Sequence, residues 1–192
     1  SHKLREKALK AINETSFYPN KGKERLKSMI ETRPDWCVSR QRVWGVPLPI
    51  FINKKNNEIL IDDEVFETIA KIYENEGSDC WFSDDPQKFL GKKYKAEDYE
   101  KLSDIVEVWF DSGSTHSFVL EKRKDLKWPA SMYLEGSDQH RGWFHSSLLE
   151  SCGTRGRAPF DSILSHGFVV DGKGLKMSKS LGNVIAPEDI LK

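Results

Sequence analysis

Hydrophobic and polar positions recur with helical spacing near the start of the chain. Residues 3–12 and 23–32 each place their apolar side chains on one side of a predicted helix, and Pro34 ends the second helix. The next stretch, 33–51, mixes aromatic, basic and proline residues, and its prolines favour an extended backbone. The pattern therefore predicts two amphipathic helices followed by a partly extended segment.

The middle of the chain is acidic. Residues 58–85 contain ten Asp or Glu and one Lys. A helix is predicted over 62–73, with Asp62 or Asp63 as its N-cap. We interpret residues 54–102 as a small acidic α/β insertion. Its charge disfavours close contact with the phosphate backbone of a nucleic acid.

After residue 103 the chain alternates between strand and helix character. The predicted strands are 131–136 and 162–170, and 104–113 is predicted as a strand or an extended segment. The predicted helices are 114–123, 137–152 and a last one that begins at Pro187. Strands separated by helices are the repeating unit of a parallel sheet, so we predict an α/β fold with helices flanking parallel strands. Ligands of such sheets bind beyond the carboxyl ends of the strands.

The composition fits a globular protein in a reducing environment. The 192 residues carry no net charge, and 38% are hydrophobic, which is enough to build a core. No apolar run is long enough to cross a membrane, and the charged first ten residues do not resemble a secretory signal. The spacing of Cys37, Cys80 and Cys152 argues against a disulfide framework and a thiolate zinc site. We expect a cytoplasmic protein without membrane contact.

Two predicted strand ends carry polar residues suited to binding. In the first, EGSDQHRGW, a carboxylate (Glu135) ends the strand and Gly136 leaves room for close approach. Asp138 and Gln139 then begin a helix, where they suit hydroxyls or an ammonium group, and where helix amides favour an anion. A plain helix N-cap by Asp138 or Ser137 explains this pattern equally well.

The second strand end is followed by the loop GKGLKMSKSLGN. Gly172 and Gly174 make this loop pliable. Its cations, which suit phosphates because they lie on long stems, are Lys173, Lys176 and Lys179. The alternative is a solvated charged hairpin. The loop is not a Walker P-loop, because GxxxxGK[ST] does not occur.

The string KMSKS, at 176–180, matches the signature loop of the class I aminoacyl-tRNA synthetases. Three further strings extend the match: RPDWCVSRQRVWGVPLPIF, DIVEVWFDSG and EGSDQHRGWFHSSL. Together they resemble the isoleucyl members of this family, and GSDQHRGWF is the string that indicates isoleucine. The match weakens in residues 54–102 and at the N-terminus.

The resemblance implies the second half of a Rossmann-like catalytic domain. Residues 1–53 would re-enter the core from an editing insertion, 54–102 would form the acidic insertion, and 103–192 would carry the nucleotide-binding half. The family activates L-isoleucine with ATP to isoleucyl-adenylate and transfers it to tRNA(Ile). Mg²⁺ is implied as the ion bound to ATP, and no zinc site is expected in this chain.

The resemblance also assigns roles to residues. Those implied to bind ATP or the adenylate are Glu135, Gly136, Asp138, Gln139, His166, Phe168, Val169 and Lys179. The first three would hold the ribose, and Gln139 would lie near the aminoacyl group. Lys176 and Lys179 would neutralise charge on the reacting phosphates. Trp109 and Trp143 would form walls of the isoleucine pocket.

Several family features are missing from the sequence. The family uses an HxGH-type motif to stabilise the α-phosphate, and no such motif occurs here, since SHGF at 165–168 belongs to the second half. The editing domain and the anticodon-binding helices are missing as well. We therefore expect the chain to be a fragment that does not form isoleucyl-adenylate alone.

Two alternatives stay open. A metal-dependent hydrolase would draw its ligands from Asp111, His116, Asp138, His140, His145 and His166. Against it, His140 and His145 are five apart and do not share a helix face. The second alternative is a non-catalytic synthetase-like module that binds a nucleotide or tRNA. For the string that contains Arg40, Gln41, Arg42 and Trp44 we prefer a structural bracing role.

Overall fold

The structure is a computed structural model and describes residues 3–191. The α-helices are α1 (Leu4–Glu14), α2 (Lys21–Glu31), α3 (Asp63–Glu76), α4 (Cys80–Ser83), α5 (Pro86–Leu90), α6 (Val108–Gly113), α7 (Trp143–Thr154) and α8 (Pro187–Ile190). The strands are β1 (Ser16–Tyr18), β2 (Ser39–Arg40), β3 (Phe51–Asn53), β4 (Tyr99–Lys101), β5 (Ile105–Val106), β6 (Tyr133–Gly136) and β7 (Ser162–His166). No helix within 3–191 is both long and apolar enough to cross a bilayer.

The chain forms two compact units. One unit combines the chain up to Pro34 with the chain from Ser112 onward, and the other is the continuous segment Asp35–Asp111. The predicted acidic insertion, 54–102, lies inside the second unit. Its origin as an insertion, like the segments 1–53 and 103–192 on either side of it, stays a prediction.

A three-stranded parallel sheet organises the first unit. The strand order is β1-β7-β6, so β7, the last strand in the chain, is the central one. Ile163 of β7 is opposite Phe17 of β1 on one side and Tyr133 of β6 on the other. Helices α1, α2 and α7 pack with these strands around one core. This arrangement confirms the predicted α/β class with parallel strands and flanking helices.

The helices of this unit form because apolar side chains recur along one side. Ala8 and Ile12 of α1 are buried, as are Leu26 and Ile30 of α2. Leu148 of α7 is fully buried. Burying one such leucine or isoleucine contributes about 1.5–3 kcal/mol, so these contacts hold the helices against the sheet.

The second unit has a core of its own. Two antiparallel strand pairs, β2 with β5 and β3 with β4, belong to it. Its largest fully buried side chains are Phe51, Trp81 and Phe89, and the rings of Phe51 and Phe89 each lie 5.1 Å from that of Trp81. The indole Nε1 of Trp81 donates a hydrogen bond to the Leu102 carbonyl, so this buried polar group is satisfied.

The predicted N-cap of the acidic helix is confirmed. Helix α3 begins at Asp63, and the carboxylate of Asp62 accepts hydrogen bonds from the backbone N–H groups of Glu64 and Val65. These bonds satisfy two of the amides that a helix start leaves unpaired.

The predicted strand or extended segment over 104–113 is wrong beyond residue 107, where a helix begins. Strand β5 covers only Ile105–Val106, and α6 begins at Val108. The carboxylate of Glu107 explains the change, because its Oε2 accepts a hydrogen bond from the Trp109 backbone N–H at 3.0 Å. A side chain that pairs with the amide two residues on favours a helix start over a continued strand.

Three other predicted elements have different limits. The segment 114–123 contains one π-helical turn, His116–Leu120. The predicted helix 137–152 is a 3₁₀ turn, Ser137–His140, followed by α7, because Gly142 between them has a non-helical backbone. The predicted strand 162–170 ends at His166, where the adjacent strand β6 also ends.

Candidate nucleotide-binding edge

The carboxyl ends of β6 and β7 lie side by side. Gly136 is opposite His166 and Glu135 is opposite Ser165 in the parallel register. Glu135 and His166 are both exposed. The structure therefore brings together the two strand ends that the sequence singled out, at the edge where α/β sheets bind ligands.

Asp138 folds back over Gly136. A Cβ added to Gly136 would lie 2.5 Å from Oδ1 of Asp138 and 3.8 Å from Cε1 of His166. The backbone of Gly136 is ordinary, with φ −62° and ψ 154°. Glycine is thus favoured here by a close approach and not by backbone strain, and the approaching group is the end of a flexible, exposed side chain, the carboxylate of Asp138.

Gln139 caps the helix that follows. Its Oε1 accepts a hydrogen bond from the Trp143 backbone N–H at 2.9 Å, and its Nε2 lies 3.4 Å from Oδ2 of Asp138. The alternative explanation of this string, a plain helix N-cap by Asp138 or Ser137, is not found, because neither side chain caps the 3₁₀ turn. The side-chain oxygen of Gln139 is used for the cap and one amide N–H faces Asp138, which leaves the second amide N–H for another contact.

His140 anchors the same turn to α2. Its ring is 1% exposed, its Nδ1 donates to the Ser137 carbonyl at 2.7 Å, and it lies edge-on to Phe144. A Cβ added to Gly22 would lie 3.0 Å from its Nε2. Burial lowers the pKa of His140. The imidazole therefore packs as a neutral group against the turn that contains Asp138 and Gln139.

The side chain of Trp143 is held by a ring contact and by a hydrogen bond from its indole nitrogen. The indole stacks on Tyr133 with centroids 4.0 Å apart and planes 2° apart, and its Nε1 donates to the Ser112 carbonyl at 2.8 Å. Trp109 belongs to the other compact unit and is 42% exposed. A pocket formed by Trp109 and Trp143 together stays a prediction.

The chain beyond β7 is open to solvent. Phe168, Val169 and Val170 are 50%, 66% and 48% exposed. The Nδ1 of His166 lies 2.6 Å from the Gly167 carbonyl, so the imidazole is hydrogen-bonded to the backbone of the next residue. An apolar, solvent-facing segment therefore follows directly from the strand end.

The lysine loop folds back on this exposed segment as a hairpin. The Met177 backbone N–H donates to the Val169 carbonyl at 2.9 Å. Nζ of Lys176 lies 3.8 Å from the centroid of the Phe168 ring, in a cation–π contact. Since Phe168 is two residues past His166, this contact places Lys176 at the same edge of the sheet as the ends of β6 and β7.

Lys179 begins the 3₁₀ turn Lys179–Leu181 and is exposed. The hydroxyl of Ser178 caps this turn by accepting a hydrogen bond from the Leu181 backbone N–H at 3.3 Å. The mobility that the sequence predicts for this loop stays a prediction.

Sequence reasoning missed two residues of the hairpin. Asp171 and Asn183 are hydrogen-bonded to each other, from Asn183 Nδ2 to Asp171 Oδ2 at 2.8 Å. Both also bind main-chain groups of the loop between them. The available signal was the pair of turn dipeptides Asp-Gly and Gly-Asn on either side of the lysines.

Sequence reasoning also missed strand β1. Its three residues are followed by Pro19 and by α2, and Tyr18 at its end is opposite Leu164 and 55% exposed. Only Phe17 is buried in this strand, so no alternation could be read from three positions. The signal that could have found it is the proline that follows an apolar pair.

The residues proposed for a metal-dependent hydrolase do not assemble. Among residues 3–191, no three His, Cys, Asp or Glu side chains gather into a group that could hold a metal ion. His116 and His140 are buried, and each has Nδ1 bonded to a backbone carbonyl. The geometry that the hydrolase alternative needs is therefore not found in the described part of the chain.

The residues of the string at 40–44 differ in their contacts. Arg40 donates to two nearby backbone carbonyls at 2.8 and 2.7 Å, and Gln41 donates to Oδ2 of Asp104 at 2.8 Å. Arg42 and Trp44 are exposed, Trp44 by 90%. The bracing interpretation therefore fits Arg40 and Gln41 and does not explain the other two.

Comparison with known proteins identifies similar chains. Residues 1–192 match the family model described as tRNA synthetases class I (I, L, M and V). The isoleucine–tRNA ligase of Pelagibacter ubique is 83% identical over 192 residues, which are 100% of this chain and 21% of that protein. That of Brucella abortus is 60% identical over 190 residues, 98% of this chain and 19% of that protein. The chain spans about a fifth of the length of the curated relatives it matches.

A solved structure shares the fold. It is the agnB2 LeuRS of Agrobacterium radiobacter K84, in a ternary complex with tRNA and LeuAMS. The match has a TM-score of 0.57 at 22% sequence identity and covers 82% of this chain and 22% of that chain.

Proposed function

Because the chain belongs to the class I tRNA synthetases, the family of the I, L, M and V enzymes, we propose that it is part of an isoleucine–tRNA ligase. The proposed reaction is the ATP-dependent activation of L-isoleucine to isoleucyl-adenylate, followed by transfer of isoleucine to tRNA(Ile). The names of relatives up to 83% identical support this reaction. A cytoplasmic location is part of the proposal, since an enzyme that charges tRNA for protein synthesis works where translation takes place.

One observation carries the proposal. The ends of β6 and β7 meet at Gly136 and His166, and the lysine hairpin returns to the same edge through the contact of Lys176 with Phe168. Carboxylates suited to ribose hydroxyls and cations suited to phosphates therefore share one edge of a parallel sheet. A nucleotide carries both kinds of group.

In the activation step, a carboxylate oxygen of isoleucine forms a bond to the α-phosphorus of ATP. The bond from that phosphorus to the pyrophosphate oxygen breaks, and pyrophosphate leaves with the bonding electrons. Negative charge grows on the α-phosphate and pyrophosphate oxygens, and Lys176 and Lys179 would neutralise it. Lys176 must leave the Phe168 ring to do so, which a loop that opens and closes allows.

The other residues at the edge would bind the adenylate. Glu135 and Asp138 would accept hydrogen bonds from the ribose hydroxyls, with Gly136 between them. The second amide N–H of Gln139 is suited to the aminoacyl end. Main-chain groups between His166 and Val169 would form hydrogen bonds with the adenine. Mg²⁺ would arrive with ATP, and the described residues form no ligand group of their own for it.

The isoleucine side chain would contact the indoles of Trp143 and Trp109. The stacking of Trp143 on Tyr133 fixes its ring before the substrate arrives, which suits a flat apolar wall. An apolar wall discriminates by only about 1–3 kcal/mol for one methylene, so valine would be rejected weakly. Discrimination beyond that limit would need a separate editing step.

A chimeric ligase tests the proposal. In it, this chain replaces the matching 192 residues of the Pelagibacter ubique protein, to which it is 83% identical. We expect isoleucine-dependent exchange of pyrophosphate into ATP and charging of tRNA(Ile). Lys176→Ala or Lys179→Ala should lower the exchange rate about 10²- to 10³-fold, as expected when one charge-stabilising group is removed. Lys92→Ala, which alters an exposed lysine of the other unit, is the matched control.

Two results would contradict the proposal. A folded chimera that binds ATP or tRNA without any exchange would favour the non-catalytic module. Exchange that does not respond to either lysine substitution would remove the assigned mechanism. The isolated 192-residue chain should show no exchange, because it contains no HxGH-type motif.

A further inference from the structure

We propose that the side chains of Asp171 and Asn183, here called the clasp, position the two lysines of the hairpin for the adenylation step. The inference rests on the proposed function, because it concerns the same reaction. The clasp residues are positioning residues, since the contacts described for them are with the loop itself.

Asp171 closes the turn that precedes the lysines. Its Oδ1 accepts hydrogen bonds from the backbone N–H groups of Lys173 and Leu175, both at 2.9 Å. Its own backbone N–H donates to the Leu175 carbonyl at 2.9 Å. Gly174 supplies the left-handed backbone, with φ +77°, that this tight turn requires. One carboxylate oxygen of Asp171 is thereby used to fix the turn.

Asn183 holds the main chain of the KMSKS string itself. Its Oδ1 accepts from the Ser178 backbone N–H at 3.0 Å, and its Nδ2 lies 3.3 Å from the Lys176 carbonyl. The same Nδ2 donates to Oδ2 of Asp171 at 2.8 Å. Asn183 therefore grips the backbone on both sides of Met177 and ties it to the closed turn.

The clasp is suited to hold a loop that is otherwise exposed. Asp171 and Asn183 are half-buried, whereas Lys176 and Lys179 are exposed. Hydrogen bonds to an ionised carboxylate are stronger than neutral ones. The Asn183 side chain and the Leu175 backbone N–H hold the pKa of Asp171 below its usual value, so the carboxylate stays ionised at neutral pH.

These contacts give the clasp and the two lysines separate roles. The clasp fixes the backbone that bears the lysines, while their long side chains stay free to move, that of Lys176 from the Phe168 ring to a phosphate. The hairpin can then move as one body without losing the arrangement of its two charges. Because the lysines act on charge that develops in the transition state, loss of the clasp should lower kcat and leave the KM for isoleucine unchanged.

A reciprocal exchange of the two side chains tests the clasp in the chimeric ligase. Asp171→Asn keeps the oxygen that fixes the turn but sets two N–H donors against each other. Asn183→Asp keeps the bond from Ser178 but sets two carboxylate oxygens against each other. Each single variant should lower the kcat of pyrophosphate exchange about 10- to 100-fold, the size of effect that misplaced reacting groups produce. The double variant restores a donor opposite an acceptor but not the bond from position 183 to the Lys176 carbonyl, so its kcat should rise above that of either single variant and stay below that of the unsubstituted chimera.

Several readouts separate positioning from general damage. Asp125→Asn, an exposed carboxylate paired with Arg123, is the control and should leave kcat unchanged. Thermal unfolding of every variant identifies any that fail to fold, and the double variant then decides. Single variants with full kcat in an active chimera, or a folded double variant without rescue, would overturn the clasp. An unsubstituted chimera without exchange would instead overturn the proposed function.

Discussion

At the scale of single residues, Gly136 shows how one missing side chain shapes the candidate site. Its place in β6 is ordinary, yet the carboxylate of Asp138 occupies the space where a Cβ would lie. Asp138 is exposed, so its carboxylate can move aside without unpacking the core. The cost of crowding should therefore appear in ligand binding and catalysis more than in stability.

Substitution of Gly136 tests this view. In the chimeric ligase, Gly136→Ala should displace Asp138 and lower kcat/KM for ATP about 10- to 100-fold, while the melting temperature changes little. Gly153→Ala is the control, because its Cβ would meet only Leu4 at an ordinary 3.7 Å. Unchanged exchange kinetics in Gly136→Ala would argue against a role for the Asp138 position.

Sequence strings identify residues well where a whole string recurs in a family, and poorly elsewhere. Glu135, Asp138 and Lys176 were singled out from such strings, and the structure brings their segments to one edge. Asn183 was not singled out. Its hydrogen bonds to Lys176 and Asp171 depend on how the hairpin folds back, which no local spacing encodes.

At the scale of elements, hydrophobic periodicity predicts long helices and fails for short strands. Helices α1, α2 and α3 were predicted nearly within their limits because each repeats its apolar face several times. β1 and β5 are two or three residues long, too short to show alternation. The helix α6 was missed because one side chain, that of Glu107, decides where it starts.

The contact between the end of α6 and α7 gives an element-scale prediction. A Cβ on Gly113 would lie 2.1 Å from Oε1 of the buried Glu150 and 3.0 Å from the backbone carbon of Ser146. Because backbone cannot yield as a flexible side chain can, Gly113→Ala should destabilise the chain by about 1–3 kcal/mol. Urea unfolding measures the loss, and Gly153→Ala should show none. Equal stability of the two variants would show that α6 and α7 are not packed this closely.

At the scale of the whole molecule, buried histidines link stability to pH. Burial, with a contribution from Arg33, lowers the pKa of His145 to about 4, and burial also lowers the pKa values of His116 and His140. An unfolded histidine titrates near 6.5. Between these values the unfolded chain binds protons that the folded chain does not, so the free energy of unfolding falls as pH falls.

The expected loss from His145 between pH 7 and pH 4 is roughly 3 kcal/mol. Urea unfolding at a series of pH values measures it, and His145→Gln should flatten the dependence in this window. Hydrogen bonds from Lys93 and Lys88 lower the pKa values of Asp62 and Asp84, so these carboxylates lose their contribution only below about pH 3.8. A stability that stays constant from pH 7 to pH 4 would contradict the burial of His145 as a neutral ring.

The strand order of the parallel sheet determines when each strand can pair during synthesis of the chain. β1 leaves the ribosome well before β7, which is its only described neighbour and whose Ser162 is opposite Ser16. The segment Asp35–Asp111, by contrast, finds its contacts within one continuous stretch and can become compact while synthesis is still under way. β1 must therefore wait, with its hydrogen-bonding groups solvated, until β7 (Ser162–His166) has emerged.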